Sequence, residues 1–142
     1  MSSDAFQRAL NAAHRALLAV TRGRIGWRVS GMPILELVTT GRRTGKRRAT
    51  MLSSPLQHGD AYLIVASRGG DDRHPAWYLN LLEEPDVEVT TQHGTQRMRA
   101  RVVKSEERAA LWPQVTKDHP NYAGYQRKTD REIPLIWLEP LP

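Results

Sequence analysis

The chain has 142 residues, a length typical of one domain built around a single core. It contains no cysteine, which excludes disulfide frameworks, thiolate nucleophiles and Cys-ligated metal sites and leads us to expect a cytoplasmic protein. The net charge of +6 is concentrated in residues 1–50, where ten Arg or Lys accompany two acidic residues. The expected partner is therefore an anion: a nucleic acid, an anionic membrane surface or a phosphorylated small molecule.

The first predicted element is an amphipathic helix over residues 4–20, whose apolar side chains recur at alternating steps of four and three. They are Phe6, Leu10, Ala13, Leu17 and Val20. The glycine- and arginine-rich segment 21–33 predicts a loose connection, so we divide the chain into a helix and basic arm over residues 1–30 and a main domain over residues 31–142. We expect the helix to pack on the main domain, with peripheral contact to the inner face of an anionic membrane as the alternative. The sequence shows no secretory signal and no run of about 18 apolar residues that would predict a membrane span.

Six strands are predicted in the main domain, each a β-branched or apolar run bounded by turn residues. They cover residues 34–39, 47–57, 61–67, 87–92, 96–103 and 133–138. Helices are predicted over residues 75–82, from a cap at Ser105 until Pro113 kinks or ends the helix, and over residues 121–129. Because the strands form hairpins and the helices are too few for parallel β–α–β units, the pattern favours an α+β, mainly β fold. We expect six antiparallel strands closed into a small barrel with peripheral helices.

The Gly-rich basic turn over residues 41–48 is the main candidate for a binding site. It contains five cations, two glycines and one threonine. Glycines allow backbone N–H groups to converge on an anion, arginine forks bind phosphate or carboxylate oxygens, and Thr44 adds a neutral donor. Only three residues separate Gly41 from Gly45, so the spacing of a nucleotide P-loop is absent. Composition alone leaves a solvated basic hairpin as the alternative.

Three other classes of site find little support in the sequence. A nucleic-acid surface would interleave aromatic residues with the cations, but only Trp27 meets this demand, and no helix-turn-helix, zinc or RNA-binding signature is present. The five histidines are scattered without ligand spacing, so no metal site is expected. The Gly-x-Ser-x-Gly elbow of serine hydrolases is also missing.

A series of ordered motifs gives the chain a family resemblance. They include Thr-Thr-Gly-Arg-Arg-Thr-Gly at 39–45, Ala-Ser-Arg-Gly-Gly at 66–70, His-Pro-Ala-Trp-Tyr-Leu-Asn-Leu at 74–81 and Pro-x-Tyr-x-x-Tyr-Gln at 120–126, and they continue at 84–85, 107–109, 112–114, 129–134 and 139–140. In this order they resemble the deazaflavin-dependent nitroreductase family. The resemblance implies an FMN-binding-like split β-barrel that binds coenzyme F420, a deazaflavin with a phosphodiester and oligoglutamate tail. It also implies an enzyme that donates hydride from reduced F420 to a quinone-like or nitroaromatic acceptor.

The resemblance further implies site residues, carried over by matching position. The cofactor residues are Arg42, Arg43, Thr44, Gly45 and Arg48 at the tail, with Thr50, Ser67, Arg68, Trp77 and Asn80 elsewhere along the cofactor. The substrate pocket contains Ser53, His119, Tyr122 and Tyr125. A hydroxyl of Ser67 or Tyr125 is expected to donate a proton to the acceptor or to hold its oxygen.

Ser53 and His119 depart from the better-known members of this family, which have tyrosine at both positions. Replacing two rings by smaller polar side chains is expected to enlarge and polarise the pocket. We therefore expect quinones, including menaquinone, to be better acceptors than bicyclic nitroimidazoles. The alternative cofactor is FMN, because FMN-binding split barrels also place basic residues near a phosphate, and the alternative function is a non-catalytic F420 carrier.

Overall fold

The structure is a computed structural model that describes residues 27–29 and 31–142. These ranges contain eight strands: β1 (Arg28–Val29), β2 (Met32–Thr40), β3 (Arg47–Ser53), β4 (Leu56–His58), β5 (Ala61–Val65), β6 (Asp86–Thr91), β7 (Gly94–Val102) and β8 (Leu135–Pro140). They also contain helices α1 (Ala76–Glu83), α2 (Ser105–Asp118) and α3 (Asn121–Arg127), and a 3₁₀ turn at Arg68–Gly70. The predicted helix over residues 4–20 lies outside the described residues, so its contacts stay a prediction.

One antiparallel sheet forms the centre of the fold. Its strands run in the order β4, β5, β8, β7, β6, β2, β3, and β1 pairs with the start of β2. The sheet curls into a half-barrel, and helices pack on both of its faces. The mainly β, antiparallel architecture is therefore confirmed, whereas the predicted number of six strands is wrong for the described residues.

The predicted strand over residues 47–57 is two strands, because the chain turns at Ser54 and Pro55. The first half, β3, pairs with β2, whereas the second half, β4, pairs with β5 at the opposite edge of the sheet. Pro55 has no N–H group to donate to a strand ladder. The buried Ser54 stabilises the turn, since its N–H group donates to the carbonyl of Pro33 at 2.9 Å and its hydroxyl donates to the carbonyl of Leu56 at 2.9 Å.

The other additional strand, β1, lies inside the segment 21–33 that the sequence predicts to be a loose connection. It pairs with the start of β2 across Gly31, whose φ of 76° lies in the left-handed region that favours glycine. The N–H group of Ile34 donates to the carbonyl of Trp27 at 2.7 Å, and the Trp27 ring packs against Ile34 and Met51. Part of the arm is thus attached to the sheet.

Two apolar clusters cover the opposite faces of the sheet. Successive residues of a strand point to opposite faces of the sheet. On β5, Ile64 therefore belongs to one cluster, which we call the inner cluster, whereas Leu63 and Val65 belong to the other, which we call the outer cluster. The inner cluster packs against Tyr78 and Leu81 of α1. The outer cluster includes residues of α2 and α3, so these two helices lie on the other side of the sheet from α1.

The three helices lie where the sequence predicts them, but two details of α2 differ. Helix α1 begins directly after Pro75, as expected. Pro113 does not end α2, because the helix continues to Asp118, and the alternative of a kink at this proline stays a prediction. Pro113 and Ala109 are both exposed, so water can hydrate the Ala109 carbonyl that Pro113 leaves without its helical donor.

The residue preceding α2 is Lys104, and Ser105 makes no capping hydrogen bond, which corrects the predicted cap. No helix in the described part of the chain is long and apolar enough to cross a membrane.

Candidate functional site

The Gly-rich basic turn is the connection between β2 and β3, and it folds as a tight loop. The N–H group of Gly41 donates to the carbonyl of Lys46 at 2.7 Å, and that of Gly45 donates to the carbonyl of Gly41 at 2.8 Å. A Cβ atom at position 41 would lie 3.1 Å from both the Lys46 carbonyl oxygen and the Thr44 hydroxyl. Gly45 has a φ of 70° and is exposed. The two glycines therefore permit the close approach and the left-handed conformation that the turn needs.

Asn80 of α1 anchors this turn to the body of the protein. Its side-chain oxygen accepts hydrogen bonds from the backbone N–H group of Arg42 at 3.1 Å and from Nη1 of Arg42 at 3.0 Å. Its Nδ2 donates to the hydroxyl of Thr39 at 3.2 Å, and the residue is only 4% exposed. Trp77, on the same helix, is half-buried against the inner cluster and meets Tyr78 edge to face at 6.5 Å. The Asn80 amide is thus engaged within the protein on both its oxygen and its nitrogen.

The side chains of the turn differ in whether they have a partner. Arg47 forms an ion pair with Glu88 of the neighbouring strand β6 at 3.0 Å. Arg43, Lys46 and Arg48 are exposed and form no ion pair with any residue in the part of the chain that the structure describes. Three cationic side chains are therefore available to bind an external anion.

Strand β3 presents the predicted residues on two different faces. Thr50 lies opposite Leu37 and is 9% exposed, and Arg48 lies opposite Thr39, so both belong to the inner face of the sheet. Ser53 lies opposite Ile34 on the other face, by the alternation of side chains along a strand. The structure therefore brings Ser53 to the side of the sheet that α2 and α3 cover.

Ser53 meets a cluster of aromatic side chains there, formed by His119, Tyr122 and Tyr125. The Ser53 and Tyr122 hydroxyls lie 3.3 Å apart, and the Tyr122 ring meets the Tyr125 and His119 rings edge to face at 6.0 and 6.4 Å. Tyr122 is buried, and its burial raises the pKa of the phenol, so the hydroxyl stays protonated at neutral pH. The four residues predicted for the substrate pocket therefore lie together.

The loop Ser67–Asp71 follows β5 and has an unusual backbone. Arg68, Gly69 and Gly70 have φ values of 47°, 64° and 86°, which are all in the left-handed region. A Cβ atom at Gly70 would lie 2.7 Å from the carbonyl oxygen of Tyr125, so the loop packs directly against α3. The loop thus carries Ser67 and Arg68, and it contacts the helix that carries Tyr125.

Arg131, in the segment between α3 and β8, donates hydrogen bonds to the backbone of this loop. Its Nε, Nη1 and Nη2 atoms lie 2.8, 3.2 and 2.9 Å from the carbonyl oxygens of Asp71, Ala66 and Ser67. Nη1 also lies 3.3 Å from Nδ1 of His74. Burial and the charge of Arg131 lower the pKa of His74, so a neutral imidazole accepts this contact.

Sequence reasoning assigned no role to Arg131 or to Gln126. The Gln126 side-chain nitrogen donates to the carbonyl of Arg131 at 2.7 Å, and its oxygen accepts from the N–H group of Ile133 at 2.9 Å and from Arg108 at 3.1 Å. Both residues belong to the motifs that carry the family resemblance, which was the available signal. Neither could be found from periodicity, because these contacts join side chains to other parts of the chain and follow no repeat along the sequence.

The two groups of candidate residues lie near opposite ends of β3. The basic turn runs into the start of β3 at Arg47 and Arg48, and Ser53 ends the strand six residues after Arg47. At about 3.3 Å per residue, β3 is about 20 Å long. The basic turn and the aromatic cluster therefore lie about 20 Å apart along β3, at an edge of the sheet, with Arg48 and Thr50 on the inner face and Ser53 on the other face.

The chain is similar to several known proteins along most of its length. Residues 11–140 match the model of a family described as F420H(2)-dependent quinone reductase. An F420H(2)-dependent quinone reductase of Mycobacterium tuberculosis strain H37Rv is 43% identical over 129 residues, covering 88% of this chain and 86% of the relative. A solved structure of an F420-H2 dependent reductase is 39% identical with a TM-score of 0.67, covering 75% of this chain and 94% of that one. A second solved structure, described only as a domain-swapped dimer, is 35% identical with a TM-score of 0.69, covering 90% of this chain and 96% of that one.

Proposed function

Because the chain belongs to the F420H(2)-dependent quinone reductase family, we propose that it transfers hydride from reduced coenzyme F420 to a quinone-like or nitroaromatic acceptor. The observation that carries this proposal is the placing of an anchored cationic turn at one end of β3 and an aromatic cluster at the other. Such a site suits a ligand that has an acidic tail and a flat ring system. A protein that binds only inorganic anions would need no second, aromatic end.

The chemistry of the turn fits the phosphodiester and carboxylates of the F420 tail. The three exposed cations Arg43, Lys46 and Arg48, which form no ion pair within residues 27–29 and 31–142, supply charge, and arginine forks suit both kinds of oxygen. We assign tail binding to the turn and the start of β3: Arg42, Arg43, Thr44, Gly45 and Arg48, with Thr50 next along the inner face. Asn80 contributes by holding Arg42 in place, since its amide is engaged with Arg42 and Thr39.

At the other end, the protein orients the reactants and excludes water. When bound, reduced F420 supplies the hydride. We assign Ser67, Arg68 and Trp77 to the side of its ring, and the hydroxyl of Ser67 or Tyr125 to holding the acceptor oxygen or donating a proton to it. Tyr122 provides a protonated hydroxyl within this cluster, because burial raises the pKa of its phenol.

The acceptor pocket favours quinones over bulkier bicyclic acceptors that rely on stacking. Ser53 is small, and its hydroxyl lies 3.3 Å from that of Tyr122, so the pocket presents a polar edge at this point. His119 adds a second polar group beside the Tyr122 ring. An acceptor with ring carbonyl oxygens can use these hydroxyl donors, which supports quinones as the acceptor class.

The experiment that tests this function measures cofactor binding and turnover with the purified protein. We expect F420 to bind in a fluorescence titration, FMN to bind much more weakly, and reduced F420 to be oxidised in the presence of a quinone. Tight FMN binding without F420 binding would make the protein an FMN-dependent oxidoreductase. Tight F420 binding without turnover across a panel of quinones and nitroaromatics would indicate a carrier.

A further inference from the structure

The guanidinium of Arg131 holds the backbone of the loop Ser67–Asp71 at both of its ends. Its three nitrogens reach the carbonyls of Ala66, Ser67 and Asp71, so the contacts begin before the 3₁₀ turn and end after it. Arg131 itself comes from a segment some 60 residues further along the chain. We propose that Arg131 is a positioning residue that fixes this loop in the shape that presents Ser67 and Arg68 to the cofactor. The inference rests on the proposed function for the identity of that ligand.

The loop needs such a restraint because its backbone is strained. Three consecutive residues have positive φ, and one of them is Arg68, which has a Cβ atom that disfavours this conformation. Within the loop, the N–H group of Gly70 donates to the Ser67 carbonyl at 2.9 Å and that of Asp71 donates to the Arg68 carbonyl at 3.1 Å. The Arg68 and Asp71 side chains also form an ion pair at 3.9 Å. These contacts are local to the loop, whereas the three bonds from Arg131 attach it to a distant segment of the chain.

Arginine is suited to this position, and lysine is not. The planar guanidinium presents donors in fixed directions, and here it reaches three carbonyls and the Nδ1 atom of His74 at once. An ammonium group is a single point and cannot span carbonyls that lie on both sides of the 3₁₀ turn. Lysine at this position should therefore restore charge without restoring the restraint.

The same residue links the loop to the acceptor end of the site. The backbone carbonyl of Arg131 accepts a hydrogen bond from Gln126, which neighbours Tyr125 on α3. Gly70, at the other end of the link, packs against the Tyr125 carbonyl. Arg131 thus positions Ser67 and Arg68 relative to Tyr125, and its loss should misalign the reacting groups more than it weakens the binding of the cofactor tail.

The test compares Arg131→Ala and Arg131→Lys with the wild-type protein, and uses Arg101→Ala as the matched control. Arg101 also makes several hydrogen bonds, to Glu107 and Glu139, but it contacts no residue of the loop. The first measurement is hydrogen exchange of the Gly70 and Asp71 amides in protein without cofactor. We expect both Arg131 variants to exchange at least about tenfold faster at these amides, and Arg101→Ala to exchange at the wild-type rate there.

The second measurement separates binding from turnover. In Arg131→Ala we expect the Kd for F420 to stay within about threefold of wild type while kcat at saturating cofactor falls by about a hundredfold, the scale of a 1 Å misplacement. Unchanged loop exchange in both variants would overturn the inference, as would a kcat equal to that of wild type. If Arg131→Ala does not fold, the exchange of Arg131→Lys decides. If the wild-type protein fails to bind F420, the proposed function fails, while the exchange data still decide whether Arg131 restrains the loop.

Discussion

At the scale of single residues, the site depends on contacts that leave little space for change. Gly70 is the clearest case, because its backbone lies against the Tyr125 carbonyl and the Lys128 side chain. Gly69, its neighbour, also has a positive φ, but no atom would lie within 4 Å of an added Cβ. Alanine substitutions at the two glycines therefore separate the free-energy cost of a left-handed backbone from the cost of a close contact.

We predict that Gly70→Ala destabilises the protein by about 2–4 kcal/mol, since it adds both left-handed strain and a 2.7 Å contact with backbone. Gly69→Ala should cost about 1–2 kcal/mol, because it adds only the strain. The free energies of unfolding in urea measure both values. Equal losses in the two variants would show that the contact with Tyr125 is relieved by a small shift of α3.

His74 predicts a pH dependence that originates in this loop. Burial and the charge of Arg131 lower its pKa in the folded protein, whereas in the unfolded chain it titrates near 6.5. As pH falls below about 6.5 the unfolded chain takes up this proton first, so the free energy of unfolding decreases toward lower pH. His74→Asn keeps an acceptor for Arg131 but removes the titrating imidazole. We expect its free energy of unfolding to decrease less than that of wild type between about pH 7.5 and 5.5.

Urea unfolding at a series of pH values measures this effect, and His93→Asn is the control. His93 is exposed in the β6–β7 turn, so its replacement removes an imidazole without changing a contact of the loop. A slope in His74→Asn as steep as that of wild type would assign the pH dependence to other groups.

At the scale of elements, α2 is attached to the sheet through one carboxylate. Glu107 accepts hydrogen bonds from Arg101 of β7 at 2.9 Å and from the buried Trp137 ring of β8 at 3.0 Å. The hydrogen bond from Arg101 is the main reason why the pKa of Glu107 is lowered. The first turn of α2 is therefore joined to two strands at once, which fixes the helix that leads to His119.

We predict that Glu107→Ala lowers the free energy of unfolding by about 1–2 kcal/mol at pH 7, because the Trp137 N–H group loses its acceptor. Glu106→Ala, an exposed position in the same helical turn, should cost at most about 0.5 kcal/mol. Because the pKa of Glu107 is lowered by folding, its ionised contribution is present above the ordinary glutamate pKa of about 4.3 and is lost as pH falls further. The difference between Glu107→Ala and wild type should therefore shrink in unfolding curves recorded at about pH 3.

At the scale of the whole molecule, the proposed site has two ends that different elements support. The β2–β3 turn and α1 hold the cationic end, whereas α3 and the loop Ser67–Asp71 form the aromatic end. Strand β3 connects them over about 20 Å. Binding of the cofactor and reaction with the acceptor should therefore respond to different substitutions.

We predict that the double variant Arg43→Gln and Arg48→Gln raises the Kd for F420 by about tenfold or more, with the largest effect at low salt, because it removes two cations from the tail site. Its kcat at saturating F420 should stay close to that of wild type. Tyr125→Phe should show the reverse, with an unchanged Kd and a reduced turnover of quinone. Arg97→Gln, an exposed cation on β7, is the control for net charge. A Tyr125→Phe variant with wild-type turnover would remove this hydroxyl from the mechanism.

Local chemistry determined much of what the sequence could predict. The hairpin signals, the proline before α1 and the glycines of the basic turn act through the nearest residues, and their predicted positions are confirmed. The family is also confirmed, because ordered motifs along most of the chain are more specific than any single pattern. The strand break at Ser54 and Pro55 was missed, since the apolar pattern continues through a point where the chain changes pairing partner.

Only the tertiary structure decided how the site is held together. Asn80 and Arg42 are 38 residues apart, Ser53 and Tyr122 are 69 apart, and Arg131 reaches carbonyls 60 to 65 residues away. The hydrogen bonds of Arg131 are accepted by main-chain carbonyl oxygens, which every residue has. The residue types at positions 66, 67 and 71 therefore give no sign of these bonds in the sequence. The sequence by itself thus identified the cationic turn, the aromatic residues and their family. Which of these side chains lie together, and which are engaged with other parts of the protein, depended on how the folded chain brings distant segments together.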